Sequence, residues 1–406
     1  MSLKNKGKNM KIYLDNNATT MVDPNVVEEM LPYLKEQYAN PSSMYDPARI
    51  SATAIEEARE KMAKFFSVED KSTILFTSCA TESANTAIKG VVEKYATQEE
   101  NHIITTQVEH PCVLSTYKYL EKKGIETSYV GVNKNGELNV DSLLSKVKDN
   151  TILVSVMHAN NETGAIYPVY DIAKEVKKIN PKTKVFVDGV QAAGKIKIEL
   201  QNSDIDFYSV SGHKFHAPKG VGALYVKNGN LFEPLLHGGH QERSLRAGTQ
   251  NTPYIVALGK AAELADKNLD FELSEVKRLR DKLEQGILSK VKNARLNSKS
   301  KDRVVNTTNI GFEYIEGELI LLYLNDIGIY ASSGSACTSG SLDPSHVLRA
   351  QKVPFTTLHG SIRFSLSRFT KEEEIDYAIE NIPLVIEKLA KISPFQKELK
   401  ALGFNL

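Results

Sequence analysis

Between Thr73 and Val226 short β-branched and aromatic runs alternate with helical patterns. The runs are TILFT (73–77), HIITT (102–106), TILVSVM (151–157), KVFVD (184–188) and FYSVS (207–211). Each is apolar nearly throughout rather than at every second position. Strands covered by helices on both faces read this way, so the pattern predicts a mainly parallel α/β sheet between helical layers. Helical patterns fill the intervals, among them 80–95 and 170–179, and Gly, Asn, Pro and Ser cluster at the joins.

The stretch 254–291 is charged and helix-favouring, with a break expected near Asp270, and it reads as the connection into a second unit. Beyond it the alternation resumes on a smaller scale: NTTNIGF (306–312), a helix over 317–326, IYASS (329–333) and SIRFSLS (361–367). The last helix is expected to open with a capping box of Thr370 and Glu373 and to bury Ile375, Ile379, Ile382, Ile386 and Leu389, with a kink at Pro383. A length of 406 residues favours two domains. The expected division is a large domain at 22–266 and a smaller one built from 10–21 with 267–406. Residues 1–9 are left out of the fold.

Charge narrows the function classes. Lys plus Arg number 51 and Asp plus Glu 50, a balance that supplies neither a nucleic-acid footprint nor a membrane-surface patch. No apolar run approaches the length of a membrane span, and the polar, lysine-rich opening lacks the apolar core of a secretory signal. A small-molecule partner and a cytoplasmic location are the expectations. The three cysteines, Cys79, Cys112 and Cys337, match neither a disulfide framework nor a zinc site.

Chemistry concentrates in SVSGHKFHAPKGVGALYV (209–226), which sets Lys214 just past an apolar strand and before a glycine-rich turn. A lysine at the mouth of a parallel sheet, with a lowered pKa, forms a Schiff base with a carbonyl cofactor; alone it is as readily a solvated side chain. Its neighbours decide. Asp188 ends the strand KVFVD, where a carboxylate keeps a pyridine nitrogen protonated, and Gln191 follows within reach of a phenolic oxygen. TILFTSCATES runs from strand to helix through small residues, so the N–H groups near Ala80 and Thr81 suit a phosphate. Cys337 lies in ASSGSACTSGSLDPS, a Gly- and Ser-rich segment without large apolar residues, expected as an exposed, mobile loop whose thiol becomes thiolate and travels.

These stretches occur in one order with YLDNNATT (13–20), NPSS (40–43), ATES (80–83), VEHPCV (108–113), NNETG (160–164), DGVQ (188–191), HGGHQE (237–242), RAGTQN (246–251), SSGSACTSG (332–340) and SIRFSLSRF (361–369). Together they resemble the class I, NifS/IscS-like cysteine desulfurases of the class-V aminotransferase family, fold-type I pyridoxal-phosphate enzymes, from about Ile12 to Phe395. The resemblance implies a mainly parallel seven-stranded sheet in the large domain and a smaller α/β C-terminal domain. It implies a pyridoxal 5'-phosphate Schiff base on Lys214, His110 stacked on the ring and moving protons, Asp188 at the ring nitrogen, and Asn161 with Gln191 at the phenolic oxygen. Ala80, Thr81, Ser211, Gly212 and His213 would surround the phosphate, joined by Thr249 of the second subunit of a homodimer.

Arg363, helped by Asn40, would clamp the substrate carboxylate, and Cys337 would take sulfur from L-cysteine as a persulfide, leaving alanine. The sulfur would pass to an acceptor scaffold for iron–sulfur cluster assembly or other thio-cofactor synthesis. No resident metal is implied, Cys337 serving as an iron–sulfur ligand only during such transfer. A selenocysteine lyase or another lyase or aminotransferase of this fold is the alternative. Cys79 stands where many relatives have Gly, and Cys112 reads as packing.

Overall fold

The computed structural model describes residues 10–297, 299–333 and 344–406, so Cys337 and its neighbours lie outside the described residues. A two-residue strand, β1 (Ile12–Tyr13), precedes two helices, Pro24–Lys35 and Asp46–Phe65. The next seven strands are β2 (Ile74–Thr77), β3 (His102–Thr106), β4 (Glu126–Val130), β5 (Thr151–Met157), β6 (Lys184–Asp188), β7 (Phe207–Ser211) and β8 (Gly222–Val226). They form one sheet in the order β2-β8-β7-β6-β5-β3-β4, parallel from β4 to β7, with β8 antiparallel to both neighbours. The expected mainly parallel seven-stranded sheet is therefore present.

β3, β5, β6 and β7 begin and end where the apolar runs do. Helices cover both faces, so nearly every side chain of these strands is buried. One face packs against Pro24–Lys35, Asp46–Phe65, Val169–Ile179 and Thr252–Lys267, the other against Ala80–Tyr95 and Pro111–Glu121.

A second sheet holds β9 (Ala294–Leu296), β10 (Thr307–Phe312) and β12 (Ser361–Ser365) in antiparallel order β12-β10-β9, while β11 (Ile329–Tyr330) pairs with β1. Its core is separate, and Ile12 and Leu14 join it from the start of the chain. The segment after β1 thus runs from the second core into the first.

The charged connection divides near the expected place. Helices Thr252–Lys267 and Lys277–Lys290 are separated by a short turn, Leu269–Phe271, and a π-helical turn, Glu272–Val276. The final helix, Glu372–Ala390, corrects the expected cap by one residue. Glu374, not Glu373, accepts the Lys371 N–H at 2.8 Å, and the Thr370 hydroxyl accepts the Ser367 N–H in the preceding turn. The helix passes through Pro383 as one element.

Gly189 follows Asp188 at the end of β6, and a Cβ there would collide with the ring of Tyr208, whose hydroxyl meets His158 Nδ1 at 2.8 Å. Only hydrogen fits that approach. Gly189→Ala should lower stability by about 1–3 kcal/mol through overpacking, read as a drop in the thermal midpoint; an unchanged midpoint would show that the ring has room to move.

Candidate active site

The carboxyl ends of β5, β6 and β7 open into a cavity of about 330 Å³ lined by Met157, Asp188, Ser211 and Lys214, with His110, Asn161 and Arg363 completing the walls. Open parallel sheets gather ligands at this edge, and the volume lies in the small-ligand range of roughly 300–1,000 Å³.

Lys214 stands on a single 3-10 turn, Gly212–Lys214, continuous with β7. Gly212 is required because a Cβ would press on Ala217, Leu258 and Val221 at 2.9–3.1 Å. The ammonium of Lys214 donates to the carbonyls of Asn17 and Ala18 at 2.7 and 2.8 Å. Those carbonyls come from the segment that crosses between the two sheets, so the lysine is held by both halves of the fold.

Asp188 is buried at the end of β6, accepting the Val190 N–H at 3.1 Å and facing the Cys112 thiol at 3.9 Å. Burial raises its pKa to about 6, against the lowering effects of the Val190 N–H, Lys214 and Cys112. A buried carboxylate with donors this weak is a strong acceptor for a cationic ligand nitrogen. Gln191 donates to the Asn17 carbonyl at 3.0 Å, and its buried Oε1 has no partner among the described residues.

His110 caps the helix Pro111–Glu121, its Nδ1 accepting the Cys112 N–H at 3.2 Å. Pro111 at the first helical position starts that helix without an N–H to satisfy. Burial lowers the His110 pKa to about 4, with Lys214 and His346 adding to the shift. The imidazole is therefore neutral at pH 7.

The helix Ala80–Tyr95 points its N-terminus into the cavity, with Cys79 in the cap position but no side-chain cap. Its first N–H groups are thus available to an anion. Arg363, on β12, is 3 % exposed and pairs with Asp15 at 2.7 Å and the Asn161 carbonyl at 3.0 Å, while its Nε has no partner among the described residues.

Of the residues singled out from the sequence, Ala80, Thr81, His110, Asn161, Asp188, Gln191, Ser211, His213, Lys214 and Arg363 line this one cavity. Gly212 is buried behind it. Asn40 and Thr249 are exposed and do not line it, and Cys337 lies outside the described residues.

Asn17 and Asp15 were missed, as was Glu162, whose buried carboxyl accepts the Ser345 hydroxyl at 2.5 Å. All three stand inside motifs the sequence displayed, YLDNNATT and NNETG. Periodicity carries no sign of their inward hydrogen bonds. Cys112, read as packing, is buried but also lines the cavity.

The chain belongs to the class-V aminotransferase family, whose model matches residues 12–378. It is similar to a cysteine desulfurase of Nostoc sp., 54% identical over 388 residues covering 95% of this chain and 96% of that protein. The cysteine desulfurase NifS of Azotobacter vinelandii is 50% identical over 384 residues, covering 95% of this chain and 94% of its own. A solved NifS-like protein superposes with a TM-score of 0.88 at 41% identity, over 94% of this chain and all of that one.

In the cofactor-free chain the His110 imidazole NMR signals should stay flat from pH 8 to 6 and move only toward a midpoint of about 4. A midpoint near the ordinary histidine value of about 6.5 would show a solvated ring.

Proposed function

We propose that this chain is a cysteine desulfurase which binds pyridoxal 5'-phosphate through Lys214 and collects the sulfur of L-cysteine on Cys337. The observation that carries the reading is the convergence of Lys214, Asp188, His110 and Arg363 on one cavity, in a family that depends on this cofactor. The residues present fit the group. Asp188 is a buried carboxylate with only weak donors, the Gln191 amide lines the same cavity, and the Ala80–Tyr95 N-terminus suits a phosphate.

When bound, the cofactor supplies an aldehyde for the substrate amine and a protonated ring that draws electron density from the substrate Cα. Lys214 would hold that aldehyde and would serve as the base at the substrate Cα. Asp188 keeps the ring nitrogen protonated, its own charge stabilised by that cation. Asn161 and Gln191 hold the phenolic oxygen. Ala80, Thr81, Ser211 and His213 would surround the phosphate, with Gly212 shaping the turn behind it, and neutral His110 would stack on the ring and carry protons.

Arg363 clamps the substrate carboxylate with Asn40 in support, a planar geometry that lysine does not reproduce. The Cys337 thiolate then attacks the substrate sulfur. A sulfur–sulfur bond forms as the Cβ–S bond breaks, the electron pair stays with the carbon fragment, and protonation releases alanine.

The same reading makes the protein a cytoplasmic homodimer, in which the exposed Thr249 of one subunit reaches the phosphate site of the other. It passes sulfur to an acceptor of iron–sulfur or other thio-cofactor synthesis. The division into a large domain at 22–266 and a smaller one at 10–21 with 267–406 is part of the proposal, supported by the separate buried cores. No helix among the described residues is long and apolar enough to cross a membrane.

The direct test is alanine and sulfide release from L-cysteine. Cys337→Ser should keep the bound-cofactor colour and lose persulfide and sulfide; retained desulfuration would remove Cys337 from the mechanism. Arg363→Lys should raise KM for cysteine by about tenfold or more while cofactor affinity holds, since a point charge replaces a bidentate fork. An unchanged KM would place the carboxylate elsewhere.

A further inference from the structure

Behind Lys214, on the side away from the substrate cavity, a group of charged residues is buried without an obvious structural need. Lys195 is 7 % exposed, and its ammonium donates to the backbone carbonyl of Lys214 at 3.4 Å. Glu272 is 5 % exposed and sits on the π-helical turn, whose apolar neighbours Phe271 and Leu273 are exposed instead. The turn thus buries a carboxylate beside Val276 while Phe271 and Leu273 face outward. Such π turns are frequent at functional sites.

Lys195, Glu272 and Lys214 share the lining of one small cavity of about 10 Å³, room for about one water molecule. Lys195 and Glu272 make no ion pair within 4.0 Å among the described residues, and Asn16 and Asn306 line the same space, so a buried water has polar partners there. Arg368, which pairs with Asp23 at 2.8 Å and approaches Glu272 at 3.9 Å, closes the group from the β12 side. His216, at φ 74° and donating its backbone N–H to the Thr20 hydroxyl at 2.9 Å, closes it from the Lys214 turn.

We propose that Lys195, balanced by Glu272, is a positioning residue for Lys214. It holds the carbonyl of the turn that presents Lys214 and keeps a positive charge behind the cofactor-bearing amine. This rests on the reading of Lys214 as the cofactor lysine. The charged and titratable groups facing Lys195 are Lys214 and His213 on the Lys214 turn, Glu272 on the π turn, Arg368 after β12 and His216 after the Lys214 turn.

Burial lowers the Lys195 pKa to about 8, with Glu272 opposing and Lys214 adding to the shift. Burial raises that of Glu272, opposed by Arg368 and Lys195. His216 is pushed to about 3 by burial and Arg368 and is neutral at pH 7. A positive charge beside the Lys214 nitrogen disfavours its protonated form. Removing that charge therefore raises the pH at which the nitrogen titrates.

The test uses the full-length protein loaded with pyridoxal phosphate, comparing wild type, Lys195→Met and the double variant Lys195→Met/Glu272→Gln. The double variant removes both buried charges and so leaves neither uncompensated, which keeps the fold available if the single variant is unstable. The absorbance of the bound cofactor is followed against pH, and its dissociation constant is measured directly.

Lys195→Met should move the midpoint of the absorbance titration upward by about one pH unit, as expected for loss of one nearby charge at an effective dielectric of about 20, and the double variant, which also loses the opposing Glu272 charge, should move it less. Cofactor affinity should fall several-fold. A folded Lys195→Met with the wild-type midpoint, or a folded double variant with wild-type cofactor affinity, would overturn the proposal, leaving Lys195 a structural residue. Wild-type protein that takes up no pyridoxal phosphate would instead overturn the assignment of Lys214, and this inference with it.

Discussion

Two backbone carbonyls, those of Asn17 and Ala18, receive the ammonium of Lys214, and much of the architecture serves to bring them there. They lie on the segment that leaves β1, which pairs with β11 beside the second core, and enters the first. Asn17 is itself fixed from both sides. Its N–H reaches the Ser365 hydroxyl at 2.9 Å, and its amide donates to the Thr307 hydroxyl at 2.8 Å and the Asn161 carbonyl at 3.1 Å. A shift of either sheet therefore moves the acceptors of the lysine. The position of the amine is a property of the whole chain rather than of one loop.

Electrostatics around this contact follow from burial. The imidazoles of His110 and His213 are held near a pKa of about 4, so both are neutral at physiological pH. Burial also pushes Glu109 up to about 8 and Glu162 to about 7. Near Asp188 the carboxyl of Glu109 is thereby kept largely protonated, and it still receives the Thr106 hydroxyl and the Met157 N–H. With its neighbours neutral, Asp188 presents the charge to which a ligand cation would be drawn. Arg363 keeps the opposite charge at the second-sheet wall, paired with Asp15.

Strands of the sheet interior were legible because burial on both faces makes them apolar throughout, and β3, β5, β6 and β7 match their runs at both ends. β4 was not legible. It lies at the sheet edge with most of its side chains partly exposed, so its sequence ETSYV carries no such run. Helix Asp46–Phe65 buries mainly small residues and was passed over for the same lack of contrast. Site residues were legible where a motif exposes them to the cavity. Asp15, Asn17 and Glu162 act inward on other protein groups, and only the folded chain shows with which.

The account depends on Lys214 being the residue that bonds the cofactor. Borohydride reduction of the pyridoxal-phosphate-loaded protein, followed by peptide mass analysis, tests this most directly. The account predicts one stoichiometric adduct on Lys214; an adduct on another lysine such as Lys195, or none at all, would contradict it.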